Sequence, residues 1–238
     1  MNGVVFNMST ARTAYIAVSV LAVQAIFFSI RPTFSMMSLM IPNWSFSIQD
    51  SNLDFLSAGH YRPLAAAVAE LAVPALAAGT AGLPGTVLDA GTGTGHYLRA
   101  VLDRAARDRM PAGAVGLDIS KFAVRRAAKL NPDAINLVGD VWQPLPVADD
   151  SVDAVTVVFA PRNAAEFARV LRTGGRLVVV TPRPGHLEEV AGQAGMLGIE
   201  PAKDERLAAS LAGHFSALSA DNLDVPLLLS PGDVTRLA

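Results

Sequence analysis

The sequence predicts an α/β fold in which helices cover both faces of a mostly parallel, doubly wound sheet. Three observations predict it. Short β-branched runs alternate with amphipathic helical stretches from residue 85 onward, a glycine-rich turn follows the first run, and aspartates close three successive strands. Parallel strands buried on both faces read as near-continuous apolar runs, and each needs a crossover helix to reach its neighbour.

The elements follow in order. "TVLDA" (86–90) is the first strand and "HYLRAVLDRAARD" (96–108) its helix. "AVGLDI" (114–119) and "KFAVRRAAKL" (121–130) repeat the unit, and "AINLVGD" (134–140) and "VDAVTVVFA" (152–160) are the third and fourth strands. The helix "AAEFARVL" (164–171), the turn "RTGG" (172–175) and the strand "RLVVVTP" (176–182) complete a Rossmann-like core. Upstream, residues 51–79 read as helical on both sides of a break at Pro63, with Asn52 as a cap and a run of strong helix formers ending at Gly79.

The composition divides the chain. Between residues 1 and 49 the only charged side chains are Arg12 and Arg31, and five of the seven methionines lie there. This gives an apolar leader at 1–49, a helical segment at 50–84 and the α/β domain at 85–238. Residues 13–30 form an uncharged run that just reaches membrane-span length, about 18 residues; an arm packed on the domain and a leader without native structure are its alternatives. A net charge of −2 gives no global attraction to nucleic acid or membrane. With no cysteine there are no disulfides, thiolate zinc sites or cysteine nucleophile. A cytoplasmic location is compatible with this, with membrane association through residues 13–30 as the departure from it.

Gly91, Gly93 and Gly95 fall at the carboxyl end of the first strand, where open α/β sheets bind ligands. A dinucleotide site would carry G-x-G-x-x-G above a pyrophosphate. Here His96 takes the place of its last glycine, and Asp89 would repel a diphosphate. A cationic ligand removes both objections. S-adenosylmethionine carries a sulfonium and an ammonium and no phosphate, so Asp89 favours it. Asp118 ends the second strand at the spacing of a ribose-binding acid, and Asp140 ends the third, placed for the adenine amino group. The expected fold is therefore that of a class I S-adenosylmethionine-dependent methyltransferase. Arg125, Arg126 and Lys129 offer phosphate contacts or simply a solvated helix face.

"FLSAGHYRPL", "VLDAGTGTGHY", "GLDISKFAVRRAAK", the run from "FAPRN" through "TPRPGHLEEV", and "KDERLAASL" resemble the 23S ribosomal RNA (guanine-N1)-methyltransferases, the family that includes the tylosin-resistance methyltransferase. The resemblance runs from about residue 52 to residue 238. It implies methylation of N1 of a guanine in 23S ribosomal RNA, with S-adenosylmethionine as cofactor and ribosomal RNA as partner. It places Tyr61, Gly93, Thr94 and His186 on the cofactor and Phe159, Ala160 and Pro161 in the pocket for the target base. Phe159 also suits that role as an aromatic at a strand end, since a flipped base needs an apolar wall. No carboxylate or histidine in "FAPRN" presents itself as the base that deprotonates the acceptor.

Two departures from the family shape the expectations. The family's N-terminal zinc module is made of cysteines and a histidine, so no zinc is expected here. "LDVPLLL" (223–229) can supply a sixth strand, but no residues remain for the antiparallel strand that bridges it to the fifth, so a weakly paired sixth strand is expected. A small-molecule methyltransferase and a cofactor-binding remnant without activity are the rival readings.

Overall fold

The computed structural model describes residues 2–5, 14–20, 61–77, 83–182 and 209–223. Five parallel strands form the central sheet: β3 (Gly85–Ala90), β4 (Ala112–Asp118), β5 (Ile135–Val138), β6 (Val152–Val158) and β7 (Leu171–Thr181), in the order β5-β4-β3-β6-β7. The chain thus builds outward from β3 through β4 to β5, then returns to the other side of β3. That reversal opens a crevice beyond the carboxyl ends of β3 and β6, the place where such sheets bind ligands.

Helices α1 (Arg62–Leu76), α2 (His96–Arg107), α3 (Lys121–Leu130) and α4 (Ala164–Val170) cover the sheet. Successive strand residues point to opposite faces, so Val87 and Leu88 serve different cores. Val87 joins Leu64 and Val68 of α1 and Leu98 and Val101 of α2. Leu88 joins Val155, Leu177 and Phe167 of α4. All seven residues of β6 are buried, including the acid Asp153, whose Oδ2 accepts 2.7 Å hydrogen bonds from the Thr86 amide and from Arg172 Nη1. Asp153 is thereby a structural acid, satisfied by its neighbours.

One expectation is corrected, and two fall partly outside the described residues. Pro63 lies in the first turn of α1, where a missing N–H costs nothing because that turn has no intrahelical acceptor, and the helical stretch expected before it lies outside the described residues. The "RTGG" turn is absorbed into β7: Val152 opposes Leu171 while Ala154 opposes Arg176, so residues 172–175 bulge out, with Gly174 at φ +85°. The last described strand is β8 (Ser216–Leu223), and the sixth strand expected at 223–229 lies outside the described residues except for Leu223.

The leader also differs from a spanning helix. Residues 2–5 form β1 (Asn2–Val5) and residues 14–20 form β2 (Ala14–Val20). Strand β1 pairs antiparallel with β2 and with β8, while β2 runs parallel to β8 and alongside β7. So β8 has two described ladder partners, β1 and β2, in a sheet separate from the central one. An apolar β-branched run such as "AYIAVSV" reads as strand or buried helix equally well, and its partner strand decided the outcome. No described helix is long and apolar enough to cross a membrane.

Candidate active site

Asp89 stands in β3, 1% exposed, directly before the glycine turn. Its Oδ1 accepts a 2.6 Å hydrogen bond from the Thr156 hydroxyl of β6, and its Oδ2 is buried without a hydrogen-bond partner. Burial pushes the carboxyl up to about 6, with the Thr156 and Thr92 hydroxyls opposing and the Asp118 carboxylate adding to the rise. A carboxylate held this way gains from a cation placed against its free oxygen.

The turn itself is shaped by two glycines in particular. Gly91 sits at φ +81°, its amide donating 2.8 Å to the Leu117 carbonyl, and a Cβ there would collide with the Ala160 side chain. Gly93, at φ +55°, has nothing within 4 Å of where its Cβ would be, so the space above it is open to a ligand. Gly95 caps α2, and its carbonyl accepts from Asn131 Nδ2 at 3.0 Å. Thr94 is buried with its hydroxyl oxygen unpartnered.

Asp118 ends β4 and binds back to the turn. Oδ2 accepts from the Gly93 amide at 2.9 Å and Oδ1 from the Ser120 amide at 2.8 Å. Burial raises its carboxyl while these two amides oppose the shift. Each oxygen keeps a lone pair for a further donor. Asp140 lies two residues beyond β5, Oδ1 accepting from the Trp142 amide at 2.9 Å, and the Gly139 amide ties this end to the Asp118 carbonyl at 3.0 Å. The sheet therefore brings three acids to one end of three adjacent strands.

Across the crevice, Phe159 follows β6 with φ +55°, an uncommon conformation for a bulky side chain. Its amide donates to the Val180 carbonyl at 3.1 Å. Its ring meets Tyr61, the residue capping α1, edge-on at 6.4 Å, and also Tyr97 at 6.4 Å. Ala160 is buried against Gly91 and Pro161 is half-buried. Tyr61, the glycine turn, Asp89, Asp118, Phe159 and Ala160 thus share one crevice. His186 lies outside the described residues. Arg125 and Lys129 are exposed on α3, and Arg126 is half-buried.

Sequence reasoning missed Thr156 and Tyr97. A lone threonine within the buried run "VDAVTVV" carried a signal, since a buried hydroxyl needs a partner and Asp89 lies on the neighbouring strand. Tyr97 carried none beyond its place next to the turn.

These features fit S-adenosylmethionine. The orphaned oxygen of Asp89, the open face of Gly93 and the acids at the strand ends suit a cationic donor and oppose a diphosphate. Comparison with known proteins agrees: residues 87–175 match the family model described as a methyltransferase domain. The fold and the site together define a class I, S-adenosylmethionine-dependent methyltransferase domain.

The chain is homologous to the 23S rRNA (guanine-N1)-methyltransferases. It is 44% identical over 182 residues to the 23S rRNA (guanine(748)-N(1))-methyltransferase of Streptomyces fradiae, covering 76% of this chain and 62% of that one. A Micromonospora griseorubida protein whose name assigns it to 23S rRNA guanine-N(1) methylation is 46% identical over 171 residues, covering 68% of this chain and 57% of the relative. The chain therefore spans about three-fifths of the length of these curated relatives. It is also 35% identical over 114 residues to the ubiquinone/menaquinone biosynthesis C-methyltransferase UbiE of Geotalea daltonii, covering 42% of this chain and 47% of that one.

Proposed function

We propose that this protein transfers a methyl group from S-adenosylmethionine to N1 of a guanine in 23S ribosomal RNA. One observation carries the choice of acceptor. The match to the Streptomyces fradiae enzyme extends over 182 residues, far past the domain at 87–175, whereas the match to the quinone-type enzyme covers only 114. Identity beyond the cofactor-binding core is where acceptor recognition is written.

The cofactor supplies an activated methyl group on a sulfonium. In this reading Asp118 accepts from the ribose diol, Asp140 from the adenine amino group, and Asp89 favours the donor's positive charge from behind the turn. Gly91, Gly93 and Gly95 let the backbone approach, and Thr94 offers its unpartnered hydroxyl. Tyr61 and His186 complete the cofactor contacts. Phe159, Ala160 and Pro161 wall the acceptor base, with the Phe159 ring as its stacking face. The N1 proton of guanine leaves during transfer, and the 159–163 loop holds no carboxylate or imidazole to receive it. Positioning of the two reactants supplies the rate.

The same reading includes no structural zinc, since the sequence offers no thiolate. It sets the protein to work in the cytoplasm, where ribosomal RNA is found. Labelled methyl transfer to 23S rRNA, followed by nucleoside analysis, tests it. A small-molecule acceptor is the second reading, carried by the 35% identity to the quinone-type enzyme. Transfer to a quinone precursor and none to RNA would favour it.

A further inference from the structure

The ring of Tyr97 is a member of the crevice for which the reading above has no use. Tyr97 is the second residue of α2, immediately past the glycine turn, and the Arg99 amide ties that helix start to the Gly95 carbonyl at 2.9 Å. Its ring meets Phe159 at 6.4 Å with an interplanar angle of 74°, while Phe159 meets Tyr61 at 65°. His96 closes on the other side, its ring 5.4 Å from Tyr97 at 81°. Three chain segments that are distant in sequence thus meet through edge-to-face aromatic contacts, each of which has a preferred geometry.

Phe159 needs such support. A bulky residue at φ +55° persists only where its surroundings hold it there, and strain of this kind gathers at functional sites. Its amide is fixed by Val180, and its ring is fixed by Tyr61 and Tyr97. Tyr61 belongs to the helix that enters the crevice and Tyr97 to the one that leaves the glycine turn. We propose that Tyr97 is a positioning residue for methyl transfer, holding the Phe159 wall of the acceptor pocket in register with the turn that carries the donor. This rests on Phe159 being that wall. Burial, with the Tyr61 phenol and the Asp89 carboxylate adding to it, holds the Tyr97 phenol well above its ordinary value, so the ring acts as an uncharged support.

The test uses the full chain with Tyr97→Leu and Tyr97→Phe, comparing kcat and KM for 23S rRNA with the affinity for S-adenosylmethionine measured separately. Tyr97→Leu removes the edge-to-face contact and is expected to lower kcat by about 10–100-fold, as misplacement of about 1 Å can, with cofactor affinity kept within about threefold. Tyr97→Phe keeps the ring and is expected to restore kcat to within about threefold. In a Phe159→Leu background, Tyr97→Leu is expected to add little further loss, because both act through one contact. An unchanged kcat in Tyr97→Leu, a Tyr97→Phe variant as slow as Tyr97→Leu, or fully additive losses would each overturn the proposal. If Tyr97→Leu does not fold, Tyr97→Met takes its place with the same outcomes. If the unaltered chain methylates no RNA, the acceptor reading fails by itself. Tyr97 is then judged by the crystal position of Phe159 in the variant: a displaced ring upholds the proposal and an unmoved ring overturns it.

Discussion

The Thr156 hydroxyl donates a 2.6 Å hydrogen bond to one oxygen of Asp89 and leaves the other buried without a partner. The acid is raised from 3.8 to about 6 by burial. A group whose folded value lies above its unfolded one contributes stability that is complete below the unfolded value and is lost as pH rises through the folded one. The ionised carboxylate therefore costs the ligand-free fold about 3 kcal/mol at neutral pH, a penalty that builds up as pH rises from about 4 to about 6. Asp89→Asn should raise the thermal midpoint at pH 7 and flatten its dependence over that window. S-adenosylmethionine, by favouring the charged form, should release protons on binding near pH 5.5. Calorimetry in buffers of different ionisation enthalpy reads that release, and equal heats in all buffers would contradict the placement of Asp89 against the cation.

Gly91 and Gly93 should respond differently to alanine. At Gly91 the new Cβ meets Ala160 and the backbone is left-handed, so Gly91→Ala should destabilise the domain by about 2–4 kcal/mol. At Gly93 the Cβ enters open space, so Gly93→Ala should cost only about 1 kcal/mol of stability. It fills the ligand's approach, however, and cofactor affinity should fall at least about tenfold, a loss of about 1.4 kcal/mol. Denaturant unfolding beside calorimetric titration separates the two effects. Normal cofactor binding by Gly93→Ala would remove this turn from the cofactor site.

Asp118 has two duties, binding the Gly93 and Ser120 amides and, in our reading, the ribose diol. Asp118→Ala should weaken cofactor binding by about 1.5–3 kcal/mol and also loosen the turn. Asp118→Asn keeps one acceptor oxygen and should fall between the two. Hydrogen exchange at the Gly93 amide reports the loosening, and a cofactor affinity unmoved by either change would count against the ribose assignment.

Residues 1–20 supply both described ladder partners of β8. Removing them should lower the thermal midpoint by exposing an unpaired strand edge. The cofactor turn and acids sit on β3, β4 and β5, so affinity for S-adenosylmethionine should stay within about threefold. A shortened chain that loses cofactor binding would show instead that these strands hold the crevice together.

The parts of this account that the sequence made legible are local. The glycine turn, Asp89, Asp118 and Asp140 occupy fixed offsets from strand ends, so a one-dimensional pattern carried them. What escaped is set by partners far along the chain. Thr156 meets Asp89 across 67 residues. The left-handed backbone of Phe159 depends on rings from two other segments, and no composition rule anticipates it. The start of β8 was illegible for a different reason: "SALSADN" lacks the apolar alternation of a half-buried strand, and pairing with β1 and β2 defines it.

The central claim is that the donor site built on Asp89, Gly93 and Asp118 serves a guanine acceptor in RNA. The most direct measurement is incubation of the purified chain with labelled S-adenosylmethionine and unmodified 23S rRNA, with the RNA then digested to nucleosides and resolved by mass spectrometry. The account predicts label in 1-methylguanosine, abolished by Gly91→Ala and reduced by Asp118→Ala. Label confined to another nucleoside, or none in RNA from a chain that calorimetry shows to bind the donor, would contradict it.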